Sequence, residues 1–244
     1  MDIQAELNRL ADHYQLDYFG IADLNSARAL VNGMSKNLLR DFRFAISLGV
    51  TLPHRIVDGL LDSGRDFARI SYDIHAYQVV NDRLNQLAQV FHSFLQRKGY
   101  PSYPVPATQR YFDETISSIF SHKLAAHLSG LGWIGKSCLL VTEGDGPRVR
   151  WVSVLTDAPL KATGRARKPE CGDCRECVDI CPAQAFTNRL FHPDEPREMR
   201  YHAHRCRDYF DSLKKQSQIP VCGLCLAVCP HGRNRKQGPV TARE

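Results

Sequence analysis

The sequence predicts an α+β protein in two parts, an N-terminal domain over residues 1–160 and a smaller domain over residues 161–244. Three observations carry this. Apolar residues recur at helical spacing over long stretches, above all across 72–98. Short apolar runs of strand length, at 43–50 and 150–156, lie between the helical stretches. Eight of the nine cysteines crowd into residues 171–229, after a polar, basic segment that reads as a boundary.

Taken in order, Leu7, Leu10, Ala11 and Tyr14 mark an opening helix. Residues 17–22 (DYFGIA) read as a short strand and 26–31 as a second, short helix. The run 43–50 (RFAISLGV) is apolar and short, which suits a buried strand. Pro53 is placed to open a helix, because a first-turn residue needs no amide hydrogen. Leu84, Leu87, Ala88, Phe91 and Leu95 share one face of the long helix, and Gly99 ends it as a cap glycine would. The prolines of GYPSYPVPAT force extended chain, a loop or an edge strand. Residues 117–129 read as another helix, followed by GLGWIGK at 130–136. The β-rich runs 138–142 and 150–156 are separated by the turn residues EGDGP, so they are expected to pair as a hairpin. Residues 161–170 (KATGRARKPE) read as the linker into the second domain.

The cysteine spacing carries the chemistry. The first group is C-x2-C-x2-C-x3-C-P, formed by Cys171, Cys174, Cys177 and Cys181 with Pro182. The second is Cys222, Cys225 and Cys229 with Pro230, joined by a remote Cys206. Such a run wraps one face of an iron–sulfur cubane, and the cysteine before the proline serves the neighbouring cluster. Two [4Fe–4S] clusters with crossed ligation are therefore expected: Cys171, Cys174, Cys177 and Cys229 on one, Cys181, Cys206, Cys222 and Cys225 on the other. Zinc sites use paired C-x2-C knuckles split by a longer loop. Disulfide frameworks belong to small secreted chains. The start MDIQAELNRL has no secretory apolar core, and no run is long and apolar enough to cross a bilayer. A cytoplasmic protein with no membrane partner is expected.

The formal net charge is +6. Residues 1–160 hold 16 Lys and Arg against 16 Asp and Glu, so the excess lies in 161–244. Two oxidised clusters with their thiolates would add about −4. The basic excess then reads as compensation for clusters rather than as a nucleic-acid surface. Lys214–Lys215 and Arg233, Arg235 and Lys236 remain as patches, read as solvated faces, with an acidic partner or phosphate backbone as the alternative.

Gly130, Gly132 and Gly135 match the letters G-x-G-x-x-G, but a helix precedes them and a strand follows. A dinucleotide site needs the reverse order. Two readings stand: a tight turn packed under Trp133, or a loop whose amides touch a large flat cofactor while Lys136 meets an anionic group. Cys138, outside both groups, reads as a buried small residue. His202 and His204 read as exposed side chains, with hydrogen bonding to cluster sulfur as the alternative.

GLGWIGK, then LTDAPL, CGDCRECVDICPAQA, RCRDYF and CGLCLAVCP together resemble the epoxyqueuosine reductase family, with motif order and spacing matching from about 130 to 230. Related reductive dehalogenases share the plan. The resemblance implies a nitroreductase-like N-terminal domain that binds cobalamin or another corrinoid base-off. It implies that Gly132, Trp133, Gly135, Lys136 and Ser137 lie near that cofactor, with Arg110 and Tyr111 on the substrate side. One cluster would reduce cobalt toward Co(I), and the other would accept electrons from a ferredoxin or flavodoxin.

The chain departs from the family pattern in three places. The aspartate segment that supplies a proton is matched only by YFDET, which lacks the proline and sits about three residues too far from the glycines. Asp113 is thus either the proton donor or a surface aspartate after a turn. The acid–base pair that follows is replaced by His122 and Lys123, which read either as a proton- or phosphate-handling pair or as a polar helix face. The helical repeats that help hold tRNA have no counterpart here, so no dedicated tRNA platform is expected. The expected function is a cobalamin-dependent iron–sulfur oxidoreductase acting on a small or tRNA-borne substrate, with Asp113 or His122 giving the proton. The alternatives are an electron-transfer or corrinoid-reducing protein with no organic substrate, and an N-terminal domain that holds flavin instead.

Overall fold

The computed structural model describes residues 2–62 and 65–233. Four antiparallel strands form the central sheet: β1 (Tyr18–Asp23), β2 (Phe44–Thr51), β3 (Ser102–Val105) and, from later in the chain, β6 (Val149–Thr156). Their order is β1-β2-β6-β3. Helices cover both faces, which is why β2 is buried along nearly its whole length instead of alternating. On one face α1 (Ile3–His13) and α5 (Val80–Arg97) pack Leu7, Leu84 and Phe91 against Ile46 and Val152. On the other, α2 (Arg28–Ser35) and α6 (His122–Leu128) pack Val31, Leu124 and Ala125 against Ala45 and Leu155.

The local chemistry places each boundary. The Asp2 carboxylate accepts from the Gln4 amide at 3.0 Å and starts α1. Pro53 precedes α3 (His54–Gly59) as its sequence position predicts. The long helical stretch begins earlier than expected: α4 (Arg65–Asp73) runs through one π turn (Ile74–Val79) into α5. Gly99, with φ +84°, closes it. β3 is an edge strand, which tolerates Pro104.

Three expectations change. The runs 138–142 and 150–156 do not form a hairpin. β4 (Trp133–Ile134) pairs with β5 (Leu140–Val141), while β6 pairs with β2 and β3. The EGDGP segment still turns, through mutual Thr142–Gly146 backbone bonds of 2.9 and 3.1 Å, but β6 finds a longer partner in β2. The helix expected over 117–129 covers only His122–Leu128, because Ser117 bridges back to Phe112 and Ser121 caps the start. The helix expected over 26–31 becomes a 3-10 turn (Leu24–Ala27) followed by α2.

The 161–170 segment is pinned rather than loose. Its Thr163 amide donates to Ile21 O at 2.9 Å, and its Gly164 lies against Ser129. Beyond it, α7 (Glu176–Asp179), α8 (Ala203–Lys215), α9 (Leu224–Ala227) and α10 (Pro230–Arg233) carry the cysteine region. Val221, Leu226 and Ala227 belong to the same core as Ile46 and Val152, so the two parts share one apolar interior. No helix among the described residues is long and apolar enough to cross a membrane. Arg235 and Lys236 of the expected basic patch lie outside the described residues.

Candidate metal centre

All eight cysteines of the two groups are partly buried, and none forms a disulfide. Burial raises the thiol pKa of five of them, and neighbouring cysteines add to it. Cys177 is pushed up to about 12 by burial and then by the thiolates of Cys171, Cys229 and Cys174. Cys229 rises to about 11 through burial, with Cys171 and Cys174 adding to it and the His231 and Gly232 amides opposing. These four line one recess. Cys206 is raised by burial and by Cys181, against a hydrogen bond from Tyr201. Cys222 is raised by burial and by Cys206 and Cys181. Cys225 is raised by burial and then by Cys222, Cys206, Cys177 and Cys181, so Cys177 acts across the two groups. The recess gathers Cys229 with three cysteines of the first sequence group.

The donor chemistry fits iron–sulfur clusters. Crowded, desolvated thiols resist ionisation until a metal supplies positive charge, and a coordinating thiol is then deprotonated outright. Among the described residues no three His, Cys, Asp or Glu side chains are arranged to hold a single metal ion. Cysteines carried by separate irons of a cubane have no need to be. The local backbone serves the ligands. Cys177 lies within the single turn of α7 and Cys181 just after it, and Gly172 and Gly223 take positive φ values of +46° and +74°. A side chain on Gly223 would meet Leu60 Cδ1 at 2.7 Å, so the loop before Cys225 lies flat on α3 and α4.

The glycine loop walls the first set. A Cβ on Gly132 would strike the Val141 carbonyl oxygen. Gly135 sits where a Cβ would be 3.4 Å from Cys171 Sγ and 2.9 Å from Val141 Cγ2. Trp133 is fully buried, edge-on to His231 at 4.9 Å, with the Arg167 guanidinium 5.4 Å from its ring. Lys136 is buried, and its Nζ donates to Gly172 O at 2.8 Å and Cys174 O at 3.0 Å. Ser137 is buried beside it and lines the same recess. Cys138 is buried, as its sequence context suggests.

The remaining expected residues lie elsewhere. Arg110 and Asp113 pair at 3.0 Å on an exposed turn, where the Asp113 side chain is 82% exposed. The second part of the chain holds that turn: Arg197 donates to Ile116 O at 3.1 Å and to Thr115 O, and His204 Nε2 donates to Glu114 O at 2.9 Å. His122 donates from Nε2 to Pro106 O at 3.2 Å, so its Nδ1 accepts from Ser153 Oγ at 3.0 Å. Burial, reinforced by Arg150 and Lys123 and opposed by the Pro106 bond, lowers His122 to about 4. It is therefore neutral at pH 7, with both ring nitrogens engaged. Lys123 bonds the Cys138 carbonyl, and burial lowers its pKa.

Sequence reasoning missed a buried polar network. Arg148, 1% exposed, lies 2.7 Å from Asp58 and 3.2 Å from His54 Nδ1, and donates to Ala227 O at 3.1 Å. His54 Nε2 meets Asp145 at 3.0 Å, and Tyr18 donates to Asp145 at 2.6 Å. The network ties the 142–148 turn to the segment between Cys225 and Cys229. Partners so far apart in sequence leave no local signal.

Comparisons with known proteins agree with this geometry. Residues 170–232 match the family of 4Fe-4S double cluster binding domains. The chain is 34% identical over 115 residues to an epoxyqueuosine reductase of Synechococcus sp., covering 47% of this chain and 35% of that protein. It is 27% identical over 195 residues to a tetrachloroethene reductive dehalogenase of Desulfitobacterium hafniense, covering 72% and 33%. The solved epoxyqueuosine reductase from Streptococcus thermophilus superposes with a TM-score of 0.57 at 17% identity, over 96% of this chain and 67% of that one. A catabolic reductive dehalogenase in complex with 3-bromo-4-hydroxybenzoic acid gives 0.71 at 20% identity, over 93% and 31%. The chain spans less than half the length of these curated relatives.

Proposed function

From a chain that is similar to epoxyqueuosine reductases, related to reductive dehalogenases and equipped with a double-cluster domain, we infer an iron–sulfur reductase. Cys171, Cys174, Cys177 and Cys229 hold one [4Fe–4S] cluster, and Cys181, Cys206, Cys222 and Cys225 hold the other. The observation that carries this reading is the recess that gathers Cys229 with Cys171, Cys174 and Cys177, members of both sequence groups. Such clusters supply one-electron transfer at low potential. An external electron donor of the ferredoxin or flavodoxin kind must feed them.

The N-terminal domain is read as nitroreductase-like and as the holder of a corrinoid. Three features support this. His122 and Lys123 keep partial exposure although burial dominates their electrostatics, as groups on the wall of a recess do. Arg150 lies over the Tyr77 ring at 4.4 Å, and Tyr77 belongs to a π turn, a feature that recurs at functional sites. Ile74 and Val79 leave apolar surface exposed at either end of that turn, as a flat macrocycle requires. When bound, a corrinoid supplies a strongly reducing cobalt centre. The chain's own residues orient it, exclude water and deliver a proton. Gly135, Lys136 and Ser137 line the recess of the first thiol set.

The proton is assigned to Asp113 on its exposed turn, because His122 is neutral and doubly bonded. A solved epoxyqueuosine reductase from Bacillus subtilis has its catalytic aspartate loop swung out of the active site. An outward Asp113, latched by Arg197 and His204, matches such a state, and Arg110 is the partner it would leave on turning inward. The substrate is a small or tRNA-borne organic molecule.

The test is anaerobic reconstitution with iron and sulfide, then titration of cob(II)alamin followed by EPR. The expected outcome is a base-off, five-coordinate Co(II) signal that saturates with protein. Full iron loading with an unchanged cobalamin spectrum would remove the corrinoid from this reading and leave an electron-transfer protein.

A further inference from the structure

We propose that Lys136 is a buried counter-charge for the first cluster that sets its reduction potential. The inference rests on the cluster assignment above. Lys136 is 5% exposed and its ammonium is spent on two backbone carbonyls of the first ligand loop, Gly172 O and Cys174 O. It lines the same recess as Cys171, Cys174, Cys177 and Cys229. Among the described residues, Lys136 forms no ion pair with a carboxylate.

A buried ammonium without a counter-ion costs several kcal/mol, and carbonyl dipoles offset only part of that. The missing negative charge is what a thiolate-bound cluster brings, about −2 when oxidised and one more when reduced. Reduction adds an electron to the cluster, so an adjacent fixed cation favours the reduced form and raises the potential. Net charge near the cluster is one of the levers that spread these potentials. Lys136 therefore acts on the first cluster, whose recess it lines.

The test is a potentiometric EPR titration of the cluster-loaded full chain, with the two signals assigned by Cys222→Ser, which removes a ligand from the second set only. In Lys136→Gln, a neutral side chain that can still donate to the two carbonyls, the first cluster's reduction equilibrium should fall about tenfold, a shift of about 59 mV for a one-electron couple. The second cluster should stay near its original midpoint. Lys136→Arg should restore the first midpoint. Unmoved midpoints in a fully iron-loaded Lys136→Gln protein would make Lys136 a strut of the ligand loop and overturn the inference alone. A wild-type chain that takes up no cluster at all would instead overturn the ligand assignment, and this inference with it.

Discussion

His122 stands in the first turn of α6, where the helix dipole already disfavours a cation, and it is desolvated as well. Its pKa falls from an ordinary 6.5 to about 4. Between those values the unfolded chain binds a proton that the folded chain refuses, so stability is lost as pH falls through that window. Thermal melts of wild type and His122→Gln from pH 7 to pH 4.5 should show a steeper loss in wild type. Equal slopes would assign the acid sensitivity to other groups. Gly132 poses a steric test. A methyl group there meets a backbone carbonyl that cannot move without breaking the β4–β5 pair. Gly132→Ala should cost about 1–3 kcal/mol, in the range of overpacked interiors. It should also lower the iron-to-protein ratio, because the same loop carries Gly135 against Cys171. Unchanged melting and iron content would show that the strand pair yields more easily than its geometry implies. At this scale the cysteines were legible because ligand spacing is local. Lys136 was visible as a cation beside the glycines, but its target, 36 and 38 residues onward, was not.

The long helical stretch illustrates what periodicity does and does not reveal. Leu84, Leu87, Ala88, Phe91 and Leu95 are all buried, as their spacing predicts. Upstream the pattern fades: Phe67 is 83% exposed on α4, and the π turn shifts the face before α5 begins. Leu84→Ala should therefore cost about 2–5 kcal/mol in denaturant unfolding. Phe67→Ser should stay within about 0.5 kcal/mol. Comparable losses at both positions would mean that α4 is seated more deeply than its exposure indicates. The hairpin expectation failed for a related reason. Turn chemistry at EGDGP was real, but pairing is decided by the partner that buries more surface. β2 offers β6 eight paired positions, and β5 spans only two residues. The helix expected from residue 117 was shortened by the Phe112–Ser117 bridge, which nothing in the apolar spacing announces.

At the scale of the molecule the two parts are less separable than their sequences suggest. Composition changes sharply near residue 161, yet Val221, Leu226 and Ala227 complete the core around Ile46 and Val152. Arg148 binds the two parts a second time through Ala227 O, and Gly146 lies so close to Gly232 that a Cβ would be 2.5 Å from its amide nitrogen. Removing iron with a chelator should consequently lower the melting temperature of the whole chain in one cooperative step. Two separated transitions, with the N-terminal one indifferent to iron, would contradict the shared core. The interleaving of thiols also bears on how the protein is made. Cys177 lies within the single turn of α7 and Cys181 just after it, and in the proposed ligation they serve different clusters, completed by Cys229 and Cys225. On the ribosome, neither set of four is complete when the first cysteine group emerges; both wait until almost the last of the described chain has been synthesised. Metal loading is thereby postponed until after translation of the cysteine region.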